Sequence, residues 1–313
     1  MDKKKGKGIF DIFGEGYDRF GFPEGIQRVT AGHGGEAILI CGSEKTALMD
    51  CGMAYCGPQL TENIKEALNG RPLDYIFLSH SHYDHIGALP YVKKIWPDAV
   101  VLGAEHAAKI LPRPGARKLM KELGENAKRL YGQGCDTKII TDGLQVDRII
   151  KEGDCILLGD RKISLMETKG HTDCSLAFIL EPDSIMFASE STGILERLDY
   201  VHTPILKGYE HAVESLKKCR NCKVKRIIIP HFGLIPETFN DAYWDLYEKE
   251  LASKRNYIAR LAAEGLSEDE ITKQYITKYW NEEKGQEQPY EAFVINSGHL
   301  VKVLLESLKT ESA

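Results

Sequence analysis

Residues 73–85 read LDYIFLSHSHYDH. The first half, LDYIFLS at 73–79, is a short apolar run of the kind that forms a buried strand. It leads straight into a loop carrying His80, His82, Asp84 and His85, three imidazoles and one carboxylate within six residues. The chain has only ten histidines in 313 residues, so three in six positions is far from an even scatter. Imidazole nitrogen and carboxylate oxygen are ligands suited to zinc and iron. An extended loop points alternate residues to opposite sides, whereas a strand-to-helix turn can gather them. His80 and His82 could then serve one ion, and Asp84 with His85 a second.

On either side of this loop, strand and helix patterns alternate. IQRVT (26–30), EAILICG (36–42) and KTALMDCG (45–52) read as short strands, with Gly pairs and Ser43 supplying the turns between them. Residues 59–68 carry apolar side chains at helical spacing, residues 86–95 do the same, and AVVLG (99–103) is again a strand. Such alternation argues an α/β core. Residues 104–134 are rich in Lys and Arg and read as a helical insertion over one face. Strands are expected again at KIIT (138–141), CILLG (155–159), RKISLMET (161–168), SLAFIL (175–180), SIMFAS (184–189) and KRIIIP (225–230). From 241 the pattern becomes helical: an amphipathic stretch over 241–264, a capping-box signature at Ser267 and Glu270, and the apolar run FVINSGHLVKVLLESL at 293–308. The expected organisation is an α/β domain over 1–240 and a helical extension over 241–313. That extension could cap the site, form a homodimer, or cover a sheet edge.

The net charge of -5 gives no overall attraction to nucleic acid or anionic membrane. The basic opening MDKKKGK is followed by GIFDIFGEGYDRFGF, broken by glycines and acids, where a secretory signal needs a run of roughly 7–15 apolar residues. No stretch approaches the ~18 apolar residues of a spanning helix. Eight cysteines are scattered through the chain, mostly in apolar surroundings, which fits reduced thiols and a cytoplasmic location. Cys219 and Cys222 form a CxxC without a second one, and a zinc ribbon needs four ligands.

Three further residues match the loop at 80–85. His171 lies in Thr168-Lys-Gly-His171-Thr-Asp-Cys-Ser175, at a turn between two expected strands, and His231 follows the strand IIIP directly. Glu190, in Phe187-Ala-Ser-Glu190-Ser, ends a strand, and its two oxygens could bridge two cations. Cys174 reads as a buried thiol outside the ligand set.

With these residues in place, the chain resembles the metallo-β-lactamase superfamily over roughly residues 25–235. His80-x-His82-x-Asp84-His85 is that superfamily's signature, and the Asp50-Cys-Gly52 turn, Gly170-His171-Thr172 and His231 follow in the right order. The resemblance implies an αββα sandwich with the metals at one edge of the sheets. It implies His80, His82 and His171 on one metal and Asp84, His85 and His231 on the other. Asp50 resembles the aspartate that orients metal-bound histidines from behind. One departure stands out: the superfamily usually places Asp at the bridging position, and Glu190 is one methylene longer.

Two divalent ions, zinc or else iron or manganese, about 3.5–4 Å apart can clamp a water and lower its pKa towards neutrality. The expected enzyme is therefore a dinuclear metallo-hydrolase that uses the resulting hydroxide on a small ester, thioester or lactone. Asp84, together with Tyr200 and His202 shortly after Glu190, makes up the candidate catalytic set. The substrate pocket is expected from residues 53–60, the insertion at 104–134, the loop after Glu190 and the C-terminal helices. Phosphodiester hydrolysis would instead want a basic groove, for which Lys109, Arg113, Arg117 and Lys118 are available; a nucleic-acid substrate is disfavoured by the absence of further histidine motifs. A single iron held by His80, His171 and Glu190 would resemble the superfamily's persulfide dioxygenases. A flavodiiron role fits less well, because those proteins usually carry Glu where His82 stands and residues 241–313 do not read as a flavodoxin-like domain. A regulatory role through partner contacts completes the alternatives.

Overall fold

A computed structural model describes residues 22–235, 237–285 and 288–310; the basic opening segment lies outside them. Its first sheet is formed by β1 (Ile26–Arg28), β2 (Ile38–Cys41), β3 (Thr46–Met49), β4 (Tyr75–Phe77), β5 (Val100–Gly103) and β6 (Arg148–Ile149), adjacent in that order. The first three run antiparallel and the last three add in parallel. Parallel strands need crossovers, supplied by α1 (Gly57–Leu68) and by α2 (Tyr83–Ile86) with α3 (Leu89–Ile95). All four residues of β3 are buried, as expected for a strand covered on both faces.

The second sheet contains β7 (Cys155–Leu157), β8 (Lys162–Glu167), β9 (Leu176–Glu181), β10 (Ile185–Phe187), β13 (Arg226–Ile229) and β14 (Gly233–Ile235). A small hairpin, β11 (Ile194–Arg197) with β12 (Tyr200–His202), lies apart from it. Strand alternation shows how the two large sheets stack. Leu176, Phe178, Leu180, Ile185, Phe187 and Ile228 point into one core with the first sheet, where Phe77 and Phe178 meet edge to face at 5.3 Å. Their neighbours Ala177, Met186, Ile227 and Ile229 point the other way, onto α6 (Tyr209–Asn221) and α7 (Asn240–Ala263). Leu60, Ile64, Leu89 and Val92 bring α1 and α3 into the first core. The layers are helix, sheet, sheet, helix, as expected from the sequence.

The insertion forms α4 (Glu105–Ile110) and α5 (Pro114–Tyr131), and the C-terminal part forms α7, α8 (Glu268–Tyr279), α9 (Glu282–Gly285) and α10 (Tyr290–Thr310). The capping box at the start of α8 is complete, with Ser267 and Glu270 each bonded to the other's backbone. Ile258, Ile271, Tyr275, Phe293 and Leu304 give α7, α8 and α10 a core of their own.

Two expectations need correcting. KIIT at 138–141 is not a strand. Ile139 packs instead with Met53 and Ala127, close over Gly124 of α5, and the Lys138 and Thr137 carbonyls accept bonds from the side chains of Tyr91 and Lys128 rather than from a neighbouring strand. KRIIIP is also not the last strand before the helical pattern at 241, because β14 pairs antiparallel with β13.

Candidate metal centre

The loop after β4 is pinned before any ligand is considered. The backbone N–H groups of Cys51 and Gly52 both donate to the His85 carbonyl, at 2.7 and 2.9 Å. Asp50 ends β3 with φ +55, a left-handed conformation that Asp tolerates better than most residues. That turn aims its carboxylate at the loop: Oδ1 accepts from the Ser79 N–H at 2.8 Å, and Oδ2 accepts from the Ser79 hydroxyl at 2.5 Å. Oδ2 also lies 3.1 Å from His85 Nδ1. Gly35 presses from the other side, where a Cβ would stand 2.3 Å from His85 Nδ1, so only glycine fits.

The same backing orients the other rings. His80 Nδ1 lies 3.0 Å from the Ser79 hydroxyl, which already gives its proton to Asp50. His171 Nδ1 donates to the Pro204 carbonyl at 2.7 Å, and the His171 N–H donates to the Ser191 hydroxyl at 3.0 Å. With protons on Nδ1, the Nε2 lone pairs of His80, His85 and His171 are left facing inward.

Two groups of donors result: His80, His82 and His171, and Asp84, His85, Glu190 and His231. Within each group the donor atoms lie within 4.8 Å of one another. Glu190 stands between them. Its Oε1 is 2.7 Å from His85 Nε2 and 3.2 Å from His231 Nε2, while its Oε2 is 3.2 Å from His171 Nε2. His171 Nε2 is also 2.9 Å from His82 Nδ1. His80 Nε2 is buried and has no hydrogen-bond partner. A buried ring nitrogen left bare is costly, and a cation is the partner that a cluster of imidazoles and carboxylates fits.

Charge tells the same story. Burial, with His85 and His82 beside it, drives His80 well below its ordinary range. Burial also lowers His82 to about 4, with His171 next in effect. Burial alone would raise Glu190, but His171, His231 and His85 outweigh it and hold the carboxyl well below the usual range. Burial would lower His85, yet Asp84, Asp50 and Glu190 carry it well above. The negative charge at Glu190 and Asp84 calls for a positive counterpart. A divalent ion can supply one while leaving every imidazole neutral.

The 3-10 turn at Glu190–Thr192 is held from outside the sandwich. Tyr247 of α7 donates to the Ser191 carbonyl at 2.5 Å, and Tyr243 donates to those of Thr192 and Gly193 at 2.7 and 3.1 Å. Gly193 has φ +93, and a Cβ there would meet the Tyr247 ring at 2.5 Å. These tyrosines were not legible as site residues; their spacing within an amphipathic helix reads as packing alone.

Above the cluster lies a cavity of about 330 Å³. His82, Asp84, His171, Glu190 and His231 line its floor, and His80 and His85 sit beneath. Each expected pocket segment contributes to the walls: Met53, Leu119 from the insertion, Ile194 from the loop after Glu190, and Ala292 from the C-terminal helices. His202 lines the cavity and Tyr200 does not; the Tyr200 ring packs against Arg197 and Lys254 instead. His202 Nδ1 lies 3.4 Å from Nζ of the buried Lys254.

The metallo-beta-lactamase superfamily profile matches residues 31–231. A metallo-beta-lactamase fold-containing protein, ST1585 of Sulfurisphaera tokodaii, is 27% identical over 226 residues, covering 68% of this chain and 78% of that protein. The solved structure of ST1585 superposes with a TM-score of 0.55 at 24% identity, over 72% of this chain and 86% of the other. A coenzyme F420H(2) oxidase of Methanothermobacter marburgensis is 27% identical over 161 residues, half of this chain but only 34% of its own length. The structure of the metallo-beta-lactamase family protein TTHA1429 of Thermus thermophilus gives a TM-score of 0.62 at 16% identity, over 91% of this chain and 95% of the other. At these identities the structural likenesses speak for the fold alone. Among the described residues, no helix is long and apolar enough to cross a membrane.

Proposed function

The chain belongs to the metallo-beta-lactamase superfamily, and from that premise we propose that it is a metal-dependent hydrolase of a small ester, thioester or lactone. The observation that carries the reading is the Glu190 carboxylate standing between the two donor groups, with Oε1 2.7 Å from His85 and Oε2 3.2 Å from His171. His80, His82 and His171 would hold one divalent ion, and Asp84, His85 and His231 the other. Glu190 would lie between them, on the turn that Tyr243 and Tyr247 fix. When bound, such a pair supplies a water activated near neutral pH and a positive charge for a developing oxyanion.

The protein's own groups do the rest. Asp50 and Ser79 keep His80 and His85 in the donor tautomer. His202, beside Lys254 on the cavity wall, would face a substrate oxygen there. The free state of all eight cysteines supports placing this chemistry in a reducing compartment such as the cytoplasm.

A small substrate is favoured over a phosphodiester by the fate of the basic run. Lys109 pairs with Glu105, Lys118 with Glu122, and Arg113 and Arg117 donate to the Lys109 and Leu111 carbonyls. None of the four lines the cavity.

The deciding experiment is metal content per chain by elemental mass spectrometry, on protein purified without metal-donating resin. Close to two equivalents of zinc, manganese or iron are expected. A single equivalent of iron would move the chain to the mono-iron oxygenase reading.

A further inference from the structure

The upper walls of the cavity differ in kind from its floor. They are formed by Leu119 and Leu123 of α5, Leu206, Phe232, and Ala292 and Ile295 of α10. Positions 119 and 123 share one helical face, as do 292 and 295. Leu119 is 51% exposed and Ile295 49%, the kind of surface that normally signals an apolar ligand when it is contiguous. The two helices are tied to fixed positions. Asn126 donates to Glu291 at 3.2 Å across the gap, and Tyr131 at the end of α5 donates to the Gly285 carbonyl at 3.1 Å.

Gln288, Asn296 and His299 add polar atoms to these walls, and both wall lysines have carboxylate neighbours. Lys284 is buried against Glu196, and Lys207 faces Asp173 at 3.5 Å. An apolar tail would cover Leu119 and Ile295 and leave both pairs intact.

We propose that the substrate is an acyl ester, thioester or lactone whose acyl part is an apolar chain, lodged between α5 and α10 with its carbonyl over Glu190. This rests on the hydrolase reading above. The reaction is R–CO–X–R′ plus water giving R–COOH and HX–R′. The carbonyl carbon gains the water oxygen, the C–X bond breaks, and the leaving atom takes a proton, with no redox partner. The cavity of about 330 Å³ holds the carbonyl head over Glu190 as well as the tail.

The test uses alkyl hydroxamates, from acetohydroxamate to decanohydroxamate, titrated calorimetrically into the zinc-loaded full chain. The hydroxamate head chelates metal and the tail reports on the walls, so binding is read without turnover. Affinity is expected to rise roughly threefold per added methylene until the cavity fills. Leu119→Glu and Ile295→Glu are expected to flatten that rise, while Leu157→Glu, on an exposed strand position away from the cavity, keeps it. Binding of every hydroxamate with equal affinity would overturn the apolar-chain assignment and leave the metal reading standing. A rise that survives both wall variants would overturn the location. Failure of all hydroxamates to bind a zinc-loaded, folded chain would overturn the hydrolase reading and this inference with it.

Discussion

His171 and Leu119 face the same cavity and are held there by different means. His171 is 1% exposed, and both its ring nitrogens have close polar neighbours: Nδ1 bonds Pro204, and Nε2 lies 2.9 Å from His82 and 3.2 Å from Glu190. Leu119 stands half in solvent on a helix whose buried positions are Gly124 and Ala127. The floor is built at strand ends by directional bonds that admit one geometry. The roof is built by helices added to the sandwich, where any apolar side chain of similar size would serve. On the proposed function, the first would set the chemistry and the second the choice of substrate, the usual division between scaffold and loops.

The sharpest way to break this contrast is at the floor. His82→Ala and His171→Ala are each expected to lose bound metal and to lower activity by more than about 100-fold, since removing even the groups that orient ligands costs 10–100-fold. Elemental analysis beside the rate assay checks both. Full metal content with full turnover in either variant would mean that the floor is as tolerant as the roof. Glu190→Ala should be the next most severe, and Glu190→Asp milder, because Asp keeps the carboxylate but retracts it by one methylene from His85 and His171. Equal wild-type behaviour of the two would take Glu190 out of the site.

This contrast also explains what could be read in advance. His80, His82, Asp84 and His85 are crowded in sequence because one turn must deliver them together, so their purpose is visible in a single line of text. His171, Glu190 and His231 are each one residue at a strand end, and only the motif gives them meaning. Strands such as β3 and β10 were legible as apolar runs buried on both faces, whereas β6, two exposed residues, was not. KIIT misled because Ile139 is buried by a helix and not by a neighbouring strand. The hairpin of β11 and β12 went unseen because Glu196, Arg197 and Asp199 interrupt its apolar residues. Gly35 and the two tyrosines of α7 act through close approach and through bonds to backbone, and neither leaves a pattern in composition or period.

Lys254 lies where floor and roof meet. It is fully buried, with Tyr200, Tyr279, His202 and Lys284 around it, and no carboxylate pairs with it among the described residues. Burial, with Lys284 next, lowers its ammonium to about 7, although Glu196 and Glu250 pull the other way. A lysine with a depressed folded pKa costs nothing above its unfolded value of 10.5, costs more as pH falls from there, and reaches a constant penalty below about 7. Stability from this group therefore rises with pH between about 7 and 10.5, by about 1.4 kcal/mol per unit. Lys254→Met should remove that slope. Near pH 7 it should be more stable than the parent, by on the order of a few kcal/mol less the bond to His202. Melting curves of both proteins across that window decide it; parallel curves would show that the amine is neutralised by something nearer.

The smallest effect expected tests whether the division between floor and roof is complete. Tyr247 belongs to the helical part, yet its hydroxyl donates to the carbonyl of Ser191, whose own hydroxyl accepts from the His171 N–H and whose neighbour is Glu190. Tyr247→Phe keeps the ring and removes one buried bond, at a cost of about 1–3 kcal/mol. A fall in melting temperature of a few degrees is expected from that alone. If the bond only supports the turn's weight, metal affinity should be unchanged and α7 belongs with the roof. The geometry argues otherwise: freeing the Ser191 carbonyl loosens the one turn that sets both Glu190 and the His171 backbone. Metal affinity should therefore weaken by up to about tenfold, the lower end of what groups behind metal ligands contribute. Competition with a chelator of known affinity measures it, and an unchanged value beside a lowered melting temperature would restore the clean boundary.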